Sequence, residues 1–181
     1  RGLDHPKPFE STMQALRLAG GQIRYTDSHP APVPREGEVP VRVIQAGICE
    51  TDLQLMRGYM GFEGILGHEF VGIAEQGNFA GRRVVGEINC ACGDCPLCAA
   101  GLRNHCPHRS VLGILGHDGA FAETVCVPEE NLHPVPDSLS DDEAVFTEPV
   151  AAALQIAQQL NLADYSQAIV LGDGRLGSLC A

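Results

Sequence analysis

The stretch NCACGDCPLCAAGLRNHC, residues 89–106, holds five of the chain's eight cysteines. Cys92, Cys95, Cys98 and Cys106 are spaced C-x2-C-x2-C-x7-C. Four thiolates satisfy the tetrahedral preference of Zn²⁺ and leave no open position, which makes a structural site rather than a catalytic one. Gly93 and Gly101 let the backbone fold tightly around an ion. Cys90 falls outside the spacing. It could replace Cys92 only through an awkward C-x-C chelate, and it reads as a spare thiol near the site. An iron–sulfur cluster, which also takes four cysteines, is the alternative occupant.

A second, sparser set of residues has more chemistry in it. Cys49 lies in GICETD (47–52), His68 and Glu69 in GHEF (67–70), and Glu148 in TEP (147–149). Thiolate, imidazole and carboxylate together suit a zinc site that keeps a position for water or substrate. Asp52 can accept the N–H of a ligating histidine and fix its tautomer. Thr51 offers a hydroxyl beside the metal that can relay a proton. A third feature is Gly172-x-Gly174-x-x-Gly177, which follows an apolar run and precedes a helix start. In a strand–turn–helix context, such a turn lets a pyrophosphate approach the backbone.

These residues need elements to hold them. Gly20-Gly21 divides two alternating stretches and predicts a hairpin. Residues 28–40, rich in proline and polar residues, read as a loop. VRVIQA (41–46), FVGIAEQG (70–77), RRVVGEI (82–88) and GAFAETVCVP (119–128) read as strands. Residues 53–59 read as a short helix capped by Thr51 or Asp52. Ser140 and Glu143 form a capping box, and Pro149 opens a second helix over 150–160. The reading is a mostly β unit over residues 13–148. A connecting helix and the first βα turn of a parallel α/β domain follow over 149–181. Residues 1–12 carry no period and precede Met13, a natural start, so they read as a cloning remnant.

Composition bounds the partners. The chain has 181 residues, 44% of them hydrophobic, and a formal net charge of −11. Strong acidity argues against nucleic acid and against an anionic membrane surface. No apolar run approaches the ~20 residues of a membrane span, and no signal peptide is visible. The expected location is cytoplasmic, where clustered cysteines favour metal over disulfides.

G-I-C-x-T-D, G-H-E, the four-cysteine lobe, GAFAE, the Glu-Pro before a helix and VLGDGRLG, in this order, resemble the zinc-dependent medium-chain alcohol and polyol dehydrogenases. The resemblance covers residues 14–181. It implies a GroES-like irregular β-barrel followed by a Rossmann domain, two zinc ions per chain, NAD or NADP as cofactor, an alcohol or polyol substrate, and a homo-oligomer at full length. It makes Cys49 and His68 look like catalytic-zinc ligands, and Glu69 like the adjacent carboxylate that ligates or gives way to water. Glu148 takes the third ligand position, where classical alcohol dehydrogenases have cysteine. A glutamate there, as in the sorbitol, glucose and threonine dehydrogenase branches, favours a polyol or secondary alcohol. Cys49, Glu69 and Glu148 would carry three negative charges against a dication, so one carboxylate is expected to stand off the metal. Gly172, Gly174 and Gly177 look like the dinucleotide turn. The chain ends one helical turn later, which suggests a fragment with little activity alone. A zinc-stabilised binding module without catalysis is the competing class, separable by counting zinc ions.

Overall fold

The computed structural model describes residues 12–181. Most of the remnant expected over residues 1–12 lies outside that range. Thr12 itself belongs to the first strand and pairs with Pro30.

Strands β1 (Thr12–Ala19) and β2 (Gln22–Pro30) form the expected hairpin across Gly20-Gly21. β2 runs into the segment expected to be loop, because β1 is long enough to pair with it as far as Pro30. β3 (Glu38–Gly47) leads into helix α1 (Glu50–Met56). The helix cap is Cys49, not Thr51 or Asp52. The Asp52 carboxylate accepts the Cys49 backbone N–H at 2.8 Å, which satisfies a donor that the helix start leaves free.

Two-residue β4 (Gly64–Ile65) adds to the edge of β1, and β5 (Glu69–Ala74) follows it. Next come β6 (Arg83–Gly86), β7 (Asn89–Cys90), α2 (Pro96–Ala99), β8 (Ser110–Leu112), β9 (Gly116–His117), β10 (Thr124–Pro128) and β11 (Leu132–Pro134). The main sheet is antiparallel, in the order β10-β3-β5-β6-β11. Its alternating valines are buried. Val41, Val84 and Val127 pack with Phe70, Leu112 and Leu132 in one cluster, and each such side chain contributes about 1.5–3 kcal/mol by leaving water. This is the mostly β unit that the motifs imply.

The first part of the expected strand 119–128 does different work. Gly119, Ala120 and Phe121 donate their N–H groups to Ile65, Gly67 and Leu66 at 2.8 Å each, so this segment buttresses the loop that carries His68.

Helix α3 (Asp141–Ala144) has the expected capping box, with the Ser140 hydroxyl and N–H both bonded to the Glu143 carboxylate. Arg83 fastens this corner to β6, through Asp141 Oδ1 at 2.8 Å and the carbonyls of Pro136 and Leu139. Helix α4 (Thr147–Gln159) begins two residues before Pro149, so the boundary drawn between 148 and 149 falls inside its first turn. Helix α5 (Arg175–Cys180) packs against α4. The apolar run before the glycines is not a strand. Ile169 and Leu171 are 84% and 93% exposed, and the run forms no ladder among the described residues. A parallel strand exists only through its neighbours. No described helix is long and apolar enough to cross a membrane.

Candidate metal and active site

The register of β3 against β5 sets the site. Gly47 pairs with Glu69 and Ala46 with Phe70. Cys49, just past the end of β3, therefore meets His68, just before β5. One ligand atom from each of Cys49, His68 and Glu69 lies within 4.8 Å of the other two. Gly47 makes room for this. A Cβ on it would sit 2.4 Å from Glu69 Oε2.

Asp52 ties the pieces together. It is 2% exposed. Its Oδ2 holds the Cys49 N–H, its Oδ1 accepts the Gly67 N–H at 3.1 Å, and the same Oδ1 lies 3.7 Å from His68 Nδ1. His68 Nδ1 is buried with no hydrogen-bond partner among the described residues, the Asp52 carboxylate being its near charge. Burial lowers the His68 pKa, against the opposing pull of Asp52 and Glu69. The ring is thus kept neutral, as a metal ligand must be. The Cys49 thiol reaches Thr51 Oγ1 at 3.6 Å.

Glu148 stands outside the compact trio, in the first turn of α4. It still faces the same charges. Burial first, then repulsion from Glu69 and Glu87, raises its pKa to about 7, with Arg175 pulling the other way.

Arg175 escaped the sequence reading. Its Nη1 and Nη2 lie 3.1 Å from Glu69 Oε2 and Oε1, a fork-to-fork pair, and Nη1 also donates to the Ile48 carbonyl at 2.7 Å. The only sequence signal was a lone cation inside the glycine turn. In that turn, a Cβ on Gly177 would strike the Gly172 carbonyl oxygen at 2.1 Å, so the third glycine is what lets α5 close onto the turn.

In the lobe, the Sγ atoms of Cys92, Cys95, Cys98 and Cys106 form a second group. Four of the Sγ···Sγ separations among them measure 3.4, 3.5, 3.8 and 4.0 Å. A tetrahedron with Zn–S bonds of ~2.3 Å has S–S edges of about 3.8 Å. A disulfide would bring two sulfurs to ~2.05 Å, and all eight cysteines are free. Cys90 lies outside the group, with its thiol on the Ile88 carbonyl, and burial pushes its pKa up to about 11. A cleft of about 860 Å³ opens beside this lobe, lined by Cys90, Cys92, His108 and His133 among others, and not at Cys49.

The family profile of the alcohol dehydrogenase GroES-like domain matches residues 35–137. An L-threonine 3-dehydrogenase of Rhizobium johnstonii is 36% identical over 187 residues, covering 96% of this chain and 53% of the relative. Among solved structures, an alcohol dehydrogenase (rspB) from Escherichia coli CFT073, complexed with NADH, superposes with a TM-score of 0.85 at 30% identity, over 94% of this chain and 52% of that one. A zinc-binding dehydrogenase from Sinorhizobium meliloti 1021, bound to NADP, gives 0.78 at 34% identity over the same shares. The chain spans about half the length of the relatives it matches.

Proposed function

The chain belongs to the zinc-dependent medium-chain dehydrogenase family through its GroES-like domain, and from this we propose that it forms the catalytic domain of a zinc-dependent, NAD(P)-linked dehydrogenase of secondary alcohols or polyols. The observation that carries the proposal is the convergence of Cys49, His68 and Glu69 ligand atoms within 4.8 Å. A binding module stapled by the cysteine lobe has no use for that second group.

The donor set fits zinc. Cys49 and His68 would hold the ion with one carboxylate: Glu69 lies within reach of both but is paired with Arg175, which leaves Glu148, in the first turn of α4, as the alternative donor. Three protein ligands leave a position for the substrate oxygen. Zinc bound there supplies Lewis acidity toward the alcohol oxygen, and the nicotinamide supplies the hydride acceptor. The chain's own residues do the rest. Asp52 orients His68 and keeps the ring nitrogen facing the site in its acceptor form. Thr51, next to the Cys49 sulfur, takes the substrate's hydroxyl proton toward solvent. Gly172, Gly174 and Gly177 admit the cofactor pyrophosphate to the start of α5. In the lobe, four thiolates would close a second zinc off from substrate. The secondary-alcohol preference rests on Glu148 in the third ligand position and on the threonine dehydrogenase relatives.

Metal analysis tests the proposal. The purified protein should carry two zinc ions, matching the two ligand groups, and Cys49→Ser should carry one. A single zinc in the wild type, unchanged in Cys49→Ser, would leave only the binding module. A panel of secondary alcohols with NAD⁺ and NADP⁺ then identifies the substrate and cofactor.

A further inference from the structure

We propose that Arg175 is a positioning residue that holds Glu69 off the metal and so decides which carboxylate completes the resting site. The inference rests on the zinc reading above.

Glu69 is near enough to ligate. One of its oxygens lies within 4.8 Å of the ligand atoms of Cys49 and His68. It is also next in sequence to His68, so nothing in the backbone keeps it away. Both of its oxygens are nevertheless taken by Arg175, one guanidinium nitrogen to each. A planar guanidinium matches a carboxylate in this way, and a lysine could not. The guanidinium is itself anchored by the Ile48 carbonyl, one residue before Cys49. The Glu69 side chain is 3% exposed and that of Arg175 36%, so the carboxylate is shielded while the guanidinium keeps contact with water, and removing the cation would leave a buried carboxylate without this charge partner.

The charges agree with this geometry. Cys49, Glu69 and Glu148 would place three negative charges around a dication, and Arg175 supplies the missing positive one. With Arg175 present, Glu69 is satisfied without the metal. Without it, the nearest cation is the metal. The sequence order of the two carboxylates does not fix which one binds. The residue that does so lies in the glycine turn, 106 positions from Glu69.

Cobalt substitution tests the clamp without using activity. Four-coordinate Co²⁺ with a thiolate ligand absorbs strongly in the visible, and the bands weaken when a fifth ligand joins. The protein is loaded with Co²⁺. Subtracting the Cys49→Ser spectrum, in which cobalt occupies the four-cysteine lobe alone, isolates the Cys49 site. The expected results are strong bands in the wild type, unchanged bands in Glu69→Gln, weakened bands in Arg175→Gln, and recovery in the double variant Arg175→Gln/Glu69→Gln. Arg175→Gln bands equal to the wild type would overturn the clamp, as would bands altered by Glu69→Gln alone. The second result stands even if Arg175→Gln fails to fold. Absence of any Cys49-dependent band would instead remove the metal reading itself, and the clamp with it.

Discussion

Gly47 is the residue on which the site's spacing turns. Its missing side chain lets the Glu69 carboxylate lie against β3, and Gly47→Ala would force a Cβ to within 2.4 Å of Oε2. Overpacking of this kind costs about 1–3 kcal/mol. We expect a lower melting temperature and weaker zinc retention in Gly47→Ala, both measurable by thermal denaturation in the presence of a chelator. Glu148 makes a prediction about pH. Its folded pKa, about 7, is raised above the ordinary 4.5. Between those values the metal-free folded chain keeps a proton that the unfolded chain has given up. The group's contribution is therefore complete below 4.5 and declines as pH rises through 7. Urea midpoints of metal-stripped protein should fall less steeply across this window in Glu148→Gln than in the wild type. A parallel decline in both would show that Glu148 titrates normally. Cys49, His68 and Glu69 could be read from short motifs because each motif carries its own chemistry. Arg175 could not, because its partner is 106 positions away and it sits within a glycine turn that reads as a cofactor motif.

The cysteine lobe is an element whose stability is expected to depend on a bound metal and on a polar anchor. Cys95 caps α2 and contributes one of the four sulfurs. Cys95→Ser should lose one zinc and lower the melting temperature while the Cys49 site keeps its metal, a result that zinc counting and calorimetry can check. Asn131, buried in the turn before β11, donates to the carbonyls of Glu87 and Asn89 at 2.9 and 3.0 Å, where the chain enters the lobe. Asn131→Ala leaves those acceptors unmet, and a destabilisation of about 1–3 kcal/mol by urea titration is expected. At this scale the hairpin at Gly20-Gly21 and the Ser140–Glu143 box were legible, because turn and cap chemistry is local. The role of residues 119–121 was not. Their alternation looks like a strand, but their hydrogen bonds go to residues 65–67, the end of β4 and the loop after it, which sequence period cannot reveal.

Across the whole molecule, the two metal groups should respond differently to a chelator. A site with an open position exchanges by stepwise ligand replacement, whereas a closed four-thiolate site releases its ion only as the lobe opens. Graded chelation, followed with a zinc dye and by melting temperature, should remove the first equivalent with a small shift and the second with a large one. Equal shifts for both would count against the distinction. The donor types, the C-x2-C-x2-C-x7-C spacing of the lobe, the strand-rich character and the family were all legible in the sequence, because each rests on local spacing or on short motifs. Which donors meet is a matter of long-range packing. The β3–β5 register brings Cys49 to His68, Asp52 fastens both loops, and the start of α5 sets Arg175 on Glu69. Those pairings depend on antiparallel register and helix placement, which join residues far apart in the chain and leave no periodic trace in it.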